Sequence, residues 1–293
     1  MTIYAKTARF DNPTPMAEDE MRKLAPSIFA TTAHPDKSAR FKPIATWEIL
    51  QALAKEGFHP FGVQQIASRK AGNQDFTKHL IRLRPVDEQL VYKVGDTVCE
   101  VLLKNANDGT SKYELMAGMF RIRCLNSLVV QESELASVLV KHAGSRADIG
   151  LVIDGTYTVI NQAKAALAAP NNWSNIQLHE QEANRLAEKA SKFLFPDPVA
   201  EELFGVAPPK TTDFDFRQLL SRNRREDEAR DLWTTFNVVQ ENVMRGGFEY
   251  KHFNTEYNEW KNQSTRAVNS IDRRVGLNKQ LWKLAADTYL ELA

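Results

Sequence analysis

The sequence predicts an α+β protein in which a central antiparallel β-sheet is backed by helices and the C-terminal half is helical. Three observations carry that prediction. Between about residues 60 and 130, short runs rich in β-branched and apolar residues alternate with turn signals. After Gly150, apolar residues recur three and four positions apart instead. The composition, 43% apolar and 26% charged over 293 residues, is that of a folded globular chain long enough to bury a sizeable core.

The elements follow in order. Acidic residues 18–20 and the cations Arg22 and Lys23 bracket a short helix that stops near Pro26. Thr46 reads as the N-cap of a helix over residues 47–56, with Ile49, Leu50 and Leu53 on one face and Gly57 as its stop. Strands are predicted over 61–68, 76–84 and 97–104. Asp108-Gly109 marks a hairpin turn, because it supplies the positive φ angles a tight turn needs. Strand-like sequence then runs from Ser111 to Val130 with a break at Gly118. Helices are predicted over 151–168, 175–194 and 226–244, followed by a polar and aromatic loop over 248–263 and a last helix carrying Leu281, Trp282 and Leu284. Trp233 and Trp282 fall on helix stripes and read as core. The domain reading is an N-terminal arm and short helix over 1–25, an α+β core over 26–205 and a helical C-terminal region over 206–293.

Residues two apart in a strand share a face. That rule puts Lys78, Leu80, Arg82 and Arg84 on one side and His79, Ile81 and Leu83 on the other; Arg121 and Arg123 likewise share a side opposite Phe120 and Ile122. If these strands are neighbours, the arginines form a basic face. Guanidinium forks suit phosphate oxygens, so Arg82, Arg84, Arg121 and Arg123 are the candidate backbone contacts, extended by Arg69, Lys78 and Lys104. Tyr113 or Phe76 would stack on bases. The alternative is that Glu100, Asp108 and Glu114 simply pair with these cations. A second candidate phosphate site lies at Arg266, Arg273 and Arg274.

Other chemistry finds less support. The net charge is +1, so attraction to nucleic acid must come from local patterning. The histidines lack zinc-ligand spacing, and neither a phosphate-binding loop, a dinucleotide fingerprint nor a nucleophile elbow occurs; no metal or cofactor is expected. His79 and Asp108 are the weak catalytic candidates, since an imidazole and a carboxylate can share acid–base work. Asp108 is already explained by the turn, and a lone histidine on an apolar strand face is more often a hydrogen-bonded core residue. Cys99 and Cys124 read as reduced, buried thiols. No apolar run approaches the ~18 residues of a membrane span and the first residues lack a signal-peptide pattern, so a cytoplasmic location without membrane contact is expected.

The runs Lys78–Arg84, Asn105–Ser111 and Gly118–Asn126, with Pro26–Ala30, Ser38–Phe41, Gly57-Phe58, Asp231–Thr235 and Leu277–Trp282, resemble the phage/plasmid-like family called domain of unknown function 932. The likeness spans nearly the whole chain. The chain departs from the family at Asn107, where histidine is frequent, and at Ser127, where glycine is; the first departure weakens a histidine-aspartate centre in this turn. The resemblance implies a mobile-element setting, and the element order is also similar to the core of Rad52-type single-strand annealing proteins. The expectation that follows is a non-enzymatic protein that binds single-stranded DNA through its backbone, promotes annealing or recombination, and assembles as a homo-oligomeric ring or filament. The alternatives are an interaction module for a phage or host protein, and a nuclease-like enzyme.

Overall fold

The computed structural model describes residues 14–38, 40–41, 43–68, 72–86, 93–94, 97–121, 127–129, 137–140, 149–166, 168–195, 212–254 and 256–293. Arg69, Arg123 and Cys124 lie outside them. The chain is α+β and divides into two compact units, Met1–Ala169 and Pro170–Ala293. The sequence reading placed its main boundary near residue 205. The division instead falls inside a short helix, so the long helix before Phe195 belongs to the C-terminal unit.

Among the described residues, the N-terminal unit is built on seven strands: β1 (Phe58–Gln65), β2 (His79–Pro85), β3 (Lys93–Val94), β4 (Thr97–Asn105), β5 (Tyr113–Arg121), β6 (Ser127–Val129) and β7 (Ser137–Val140). Their order is β1-β2-β4-β5-β6, with β3 beside β4 and β7 beside β5, and every pair is antiparallel. Gly118 pairs with Glu100 and Val129 and continues β5, where the sequence suggested a break. At the β4–β5 turn, Gly109 has φ of +72° and the Asp108 carboxylate accepts from the N–H and hydroxyl of Thr110.

Among the described residues, the α-helices that accompany the sheet are α1 (Glu18–Leu24), α2 (Thr46–Lys55) and α3 (Ile149–Ala166). α1 has three acids in its first turn and two cations in its last, which suits the helix dipole. α2 buries Ile49, Leu50 and Leu53 as its spacing requires, and the chain leaves it at Gly57 with φ of +83°. α2 packs on β1, and α3 on β4 and β5. The register sets His79, Ile81 and Leu83 level with Asn105, Leu103 and Val101, and Leu103 and Val101 in turn with Leu115 and Ala117. The opposite face carries Leu80, Arg82, Leu102 and Met116, and these too are buried.

The C-terminal unit contains most of α4 (Ala168–Ser174), α5 (Glu180–Leu194), α6 (Leu232–Arg245) and α7 (Ile271–Leu292). Its core is aromatic: the Trp173 ring lies 4.6 Å from that of Trp282 and 5.5 Å from that of Phe236. α6 buries nearly every side chain, and its buried Gln240 donates to Asn278 of α7 at 2.8 Å. His179 opens α5 with its backbone N–H on the Glu182 carboxylate at 2.7 Å, which turns the predicted start near 175 into a later one. Asp231 caps α6, accepting from the backbone N–H and the hydroxyl of Thr234 at 2.8 and 2.9 Å. Asp231→Ala is expected to cost about 1 kcal/mol, read as a lowered urea midpoint, with Asp231→Asn close to wild type.

The region predicted as a loop over 248–263 is a β-hairpin. β9 (Glu249–Asn254) and β10 (Glu259–Ser264) pair in register from Asn254–Glu259 to Glu249–Ser264, and β8 (Thr212–Asp213) adds to the other edge of β9. Asn258, with φ of +50°, supplies the left-handed residue of the turn, a role asparagine takes readily. All six residues of β10 are exposed. Among the described residues, no helix is long and apolar enough to cross a membrane.

Candidate nucleic-acid interface

The strand alternation predicts a common face for the arginines; the register instead sets Arg121 level with Thr97, in the row of Val101 and Leu83, while Arg82 and Arg84 share the side of Glu100, and that side is not open. Arg82 is 5% exposed and Glu100, pointing to it from β4, is fully buried. Arg82 grips both carboxylate oxygens, Nε to Oε2 at 2.7 Å and Nη2 to Oε1 at 3.0 Å. Arg84 adds Nη2 to Oε1 at 2.7 Å and lays its guanidinium 4.4 Å from the Phe61 ring centre. Taking these charges out of water costs several kcal/mol per ion, which the fork geometry offsets. The donors that a phosphate would need are occupied.

Lys104 pairs with Glu114 at 2.7 Å, and Lys78 is buried. For Arg121 the backbone alone is described, paired with Thr97. Tyr113 is fully buried, with its hydroxyl pKa raised by desolvation, and Phe76 stands edge-on to His34 at 5.3 Å. Of the alternatives the sequence left open, pairing with Glu100 and Glu114 is the one found for Arg82, Arg84 and Lys104.

The catalytic candidates are also accounted for. His79 is fully buried on the opposite face, with Nδ1 2.8 Å from Ser27 Oγ and Nε2 3.1 Å from Thr46 Oγ1. Ser27 Oγ donates to Gln65 Oε1 at 2.8 Å, and Asn105 Nδ2 donates to Thr46 Oγ1 at 2.9 Å. Each hydroxyl therefore relays in one direction: Asn105 to Thr46 to Nε2, and Nδ1–H to Ser27 to Gln65. That relay requires a neutral imidazole. Desolvation pushes its pKa down to about 3, against a smaller opposing effect of the hydrogen bond that the ring donates to the Thr77 backbone. Asp108 holds its turn through Thr110. Among the described residues, no group of three or more His, Cys, Asp or Glu side chains is placed to hold a metal.

Unpaired positive charge appears in the C-terminal unit. A groove of about 710 Å³ is lined by Phe195, Tyr250, Gln263, Arg266, Ser270 and Arg273, among others. Its wall is set by a close approach of backbones. Gly246 closes α6 with φ of +66°, and a Cβ there would lie 2.6 Å from the Arg266 carbonyl carbon. Gly247 N–H donates to Thr265 O at 2.8 Å and Val268 N–H to Met244 O at 2.9 Å, pinning the segment that carries Arg266. Arg273 stands in the first turn of α7, where Ser270 is the N-cap and the helix dipole is positive. The exposed Arg266 and Arg273 side chains have no ion-pair partner among the described residues. Arg274, half-buried, does not line the groove. On the remaining wall the Tyr250 ring packs 4.7 Å from Phe195 and its hydroxyl donates to Gln263 at 2.6 Å.

Sequence reasoning found Arg266 and Arg273 but missed Phe195 and Tyr250. The signal for Tyr250 was the interleaving of aromatic and basic residues in Tyr250-Lys251-His252-Phe253 and Trp260-Lys261.

Residues 33–282 match the family described as Domain of unknown function (DUF932). The chain belongs to this family. Two relatives, each covered over at least nine tenths of its length, come from Escherichia coli (strain K12). The UPF0380 protein YafZ is 33% identical over 274 residues, covering 92% of this chain and 90% of the relative. The UPF0380 protein YfjQ is 33% identical over 281 residues, 95% and 93% respectively. No solved structure matches the chain. Among the described residues, the segments that carry the DUF932 resemblance include β2, the β4–β5 turn, the end of β5, the start of α6 and the middle of α7. They thus supply Arg82, Asn105 and Asn278, three residues with buried polar partners.

Proposed function

We propose that this chain binds single-stranded nucleic acid through its backbone, using the groove beside β9 and β10 rather than the central sheet. The observation that carries this reading is the pair Arg266 and Arg273, two exposed guanidinium groups without ion-pair partners among the described residues, in a groove that also holds aromatic rings. Phosphates suit the guanidinium forks and the start of α7, while the Tyr250 edge offers a surface to a base. The mobile-element setting implied by the family resemblance fits a protein that handles DNA during recombination or annealing. A nuclease-like reading loses its candidates, because His79 has no access to solvent and Asp108 is committed to its turn.

The test is fluorescence anisotropy of labelled oligonucleotides across a salt series. For wild type the logarithm of affinity should fall linearly with that of salt, by about 0.7 per phosphate neutralised on a single strand. The Arg266→Ala, Arg273→Ala double variant should lose roughly two such contacts from the slope. Arg82→Met should leave the slope unchanged, whatever it does to stability. Salt-insensitive or absent wild-type binding, or an unaltered slope in the double variant, would sink the proposal.

A further inference from the structure

We infer that β10 is the interface with a second copy of this chain, pairing antiparallel with its twin about a two-fold axis through Trp260. This does not rest on the nucleic-acid reading. β10 is an edge: among the described residues its one strand partner is β9, and every one of its residues is exposed. An unpaired row of backbone N–H and C=O groups is a template for another strand. β10 itself is exposed along its whole length, so it buries little until a further strand joins it. Trp260, 48% exposed, and Tyr257, 63% exposed, are two of the large apolar side chains left in solvent.

The sequence of the strand selects the occupant. Glu259-Trp260-Lys261 reads as its own complement when reversed: with Trp260 opposite the twin's Trp260, each Glu259 falls opposite a Lys261. Both charged residues sit on the same face, since they are two apart, and Trp260 sits on the other. Directly opposite residues have Cβ atoms roughly 4.5–5.5 Å apart, close enough for both kinds of pair. Within one chain Lys261 already meets Glu259 at 3.0 Å and lies 4.8 Å from the Tyr257 ring centre. Pairing would exchange the intrastrand contact of each chain for an interchain one, two for two across the dimer.

The apolar face gains in the same register. Trp260 packs on Phe253 of β9 with ring centres 5.3 Å apart, and the register sets the two level. Two such pairs meeting at the axis make a ladder of four rings across the joined sheet. Three strands become six. The contact is isologous and closes at two copies, so it gives a dimer and not by itself a ring or filament.

The test is sedimentation velocity of the full chain over a wide concentration range. Wild type should show a monomer–dimer equilibrium. Lys261→Glu places four carboxylates on one face at the axis and should weaken the dimer at least about tenfold, because both equivalent contacts turn repulsive. The double variant Glu259→Lys, Lys261→Glu restores opposite charges in the same register and should recover dimerisation, with circular dichroism showing that all three chains are folded. A wild type that stays monomeric throughout, a dimer indifferent to Lys261→Glu, or a charge swap that fails to rescue would each overturn the inference.

Discussion

Replacing Glu100 by alanine is expected to destabilise the N-terminal unit by roughly 3–5 kcal/mol, the range found when one partner of a buried ion pair is removed. Glu100 is fully buried and receives forks from Arg82 and Arg84. Its loss would leave two guanidinium groups facing an uncharged cavity. An exposed pair would give under about 1 kcal/mol, so the size of the effect decides between a buried structural cluster and a solvated basic face. Glu100→Gln should fall between, because the amide oxygen still accepts one donor but carries no charge. Urea titration by far-UV circular dichroism gives the magnitude, and amide exchange of β2 and β4 locates it. Removing the charges together, as in Glu100→Leu with both arginines changed to Met, should recover part of the loss, since apolar replacement of a whole buried ionic group is often neutral. If Glu100→Ala left those amides as protected as in wild type, the cluster would not hold the sheet.

That cluster shows which part of the molecule was legible in the sequence. Period-two alternation assigned the sides within β2 and within β4, and the register sets Arg82 level with Leu102 and His79 with Asn105. It did not bring the arginines together, because Arg121 pairs with Thr97, in the row of Leu83 rather than of Arg82. What alternation cannot give is whether the polar face meets water. The partner that closes it stands 18 residues away in sequence. The available hint was Glu100 itself, a lone acid inside the apolar run Val98–Leu103, because a carboxylate in such a strand is nearly always paired. The helices were legible wherever one face is apolar, as in α2 and the stripe of α6. The β9–β10 hairpin was not, because a strand exposed on both faces has no apolar alternation to read. Thr46 is a further case. Its place before an apolar run suggests an N-cap, but Ala45 takes that position and the Thr46 hydroxyl is spent on His79 and Asn105.

The second large effect expected is a pH dependence with His79 at its source. The unfolded chain holds this imidazole near the ordinary value of about 6.5, whereas burial pushes it down to about 3 in the folded protein. Above pH 6.5 both states are neutral at this residue and its contribution to stability is fully present. As pH falls below 6.5, the unfolded state takes up a proton that the folded state refuses, so stability drops by about 1.4 kcal/mol per pH unit until the folded pKa is reached. A proton on Nε2 would face the hydroxyl proton that Thr46 directs at it, and Thr46 cannot simply turn away while Asn105 donates to its oxygen. His79→Gln removes the titration. It should also lower stability at pH 7 by a few kcal/mol, because two buried hydroxyl groups lose well-placed partners at roughly 1–3 kcal/mol each. The decisive quantity is the difference between the two chains in urea stability from pH 7 down to 5. Most carboxylates stay ionised there, and the other histidines cancel in the difference. That difference should narrow as pH falls, with the variant nearly flat where wild type declines. Parallel lines would mean that His79 is not the group held neutral by the fold.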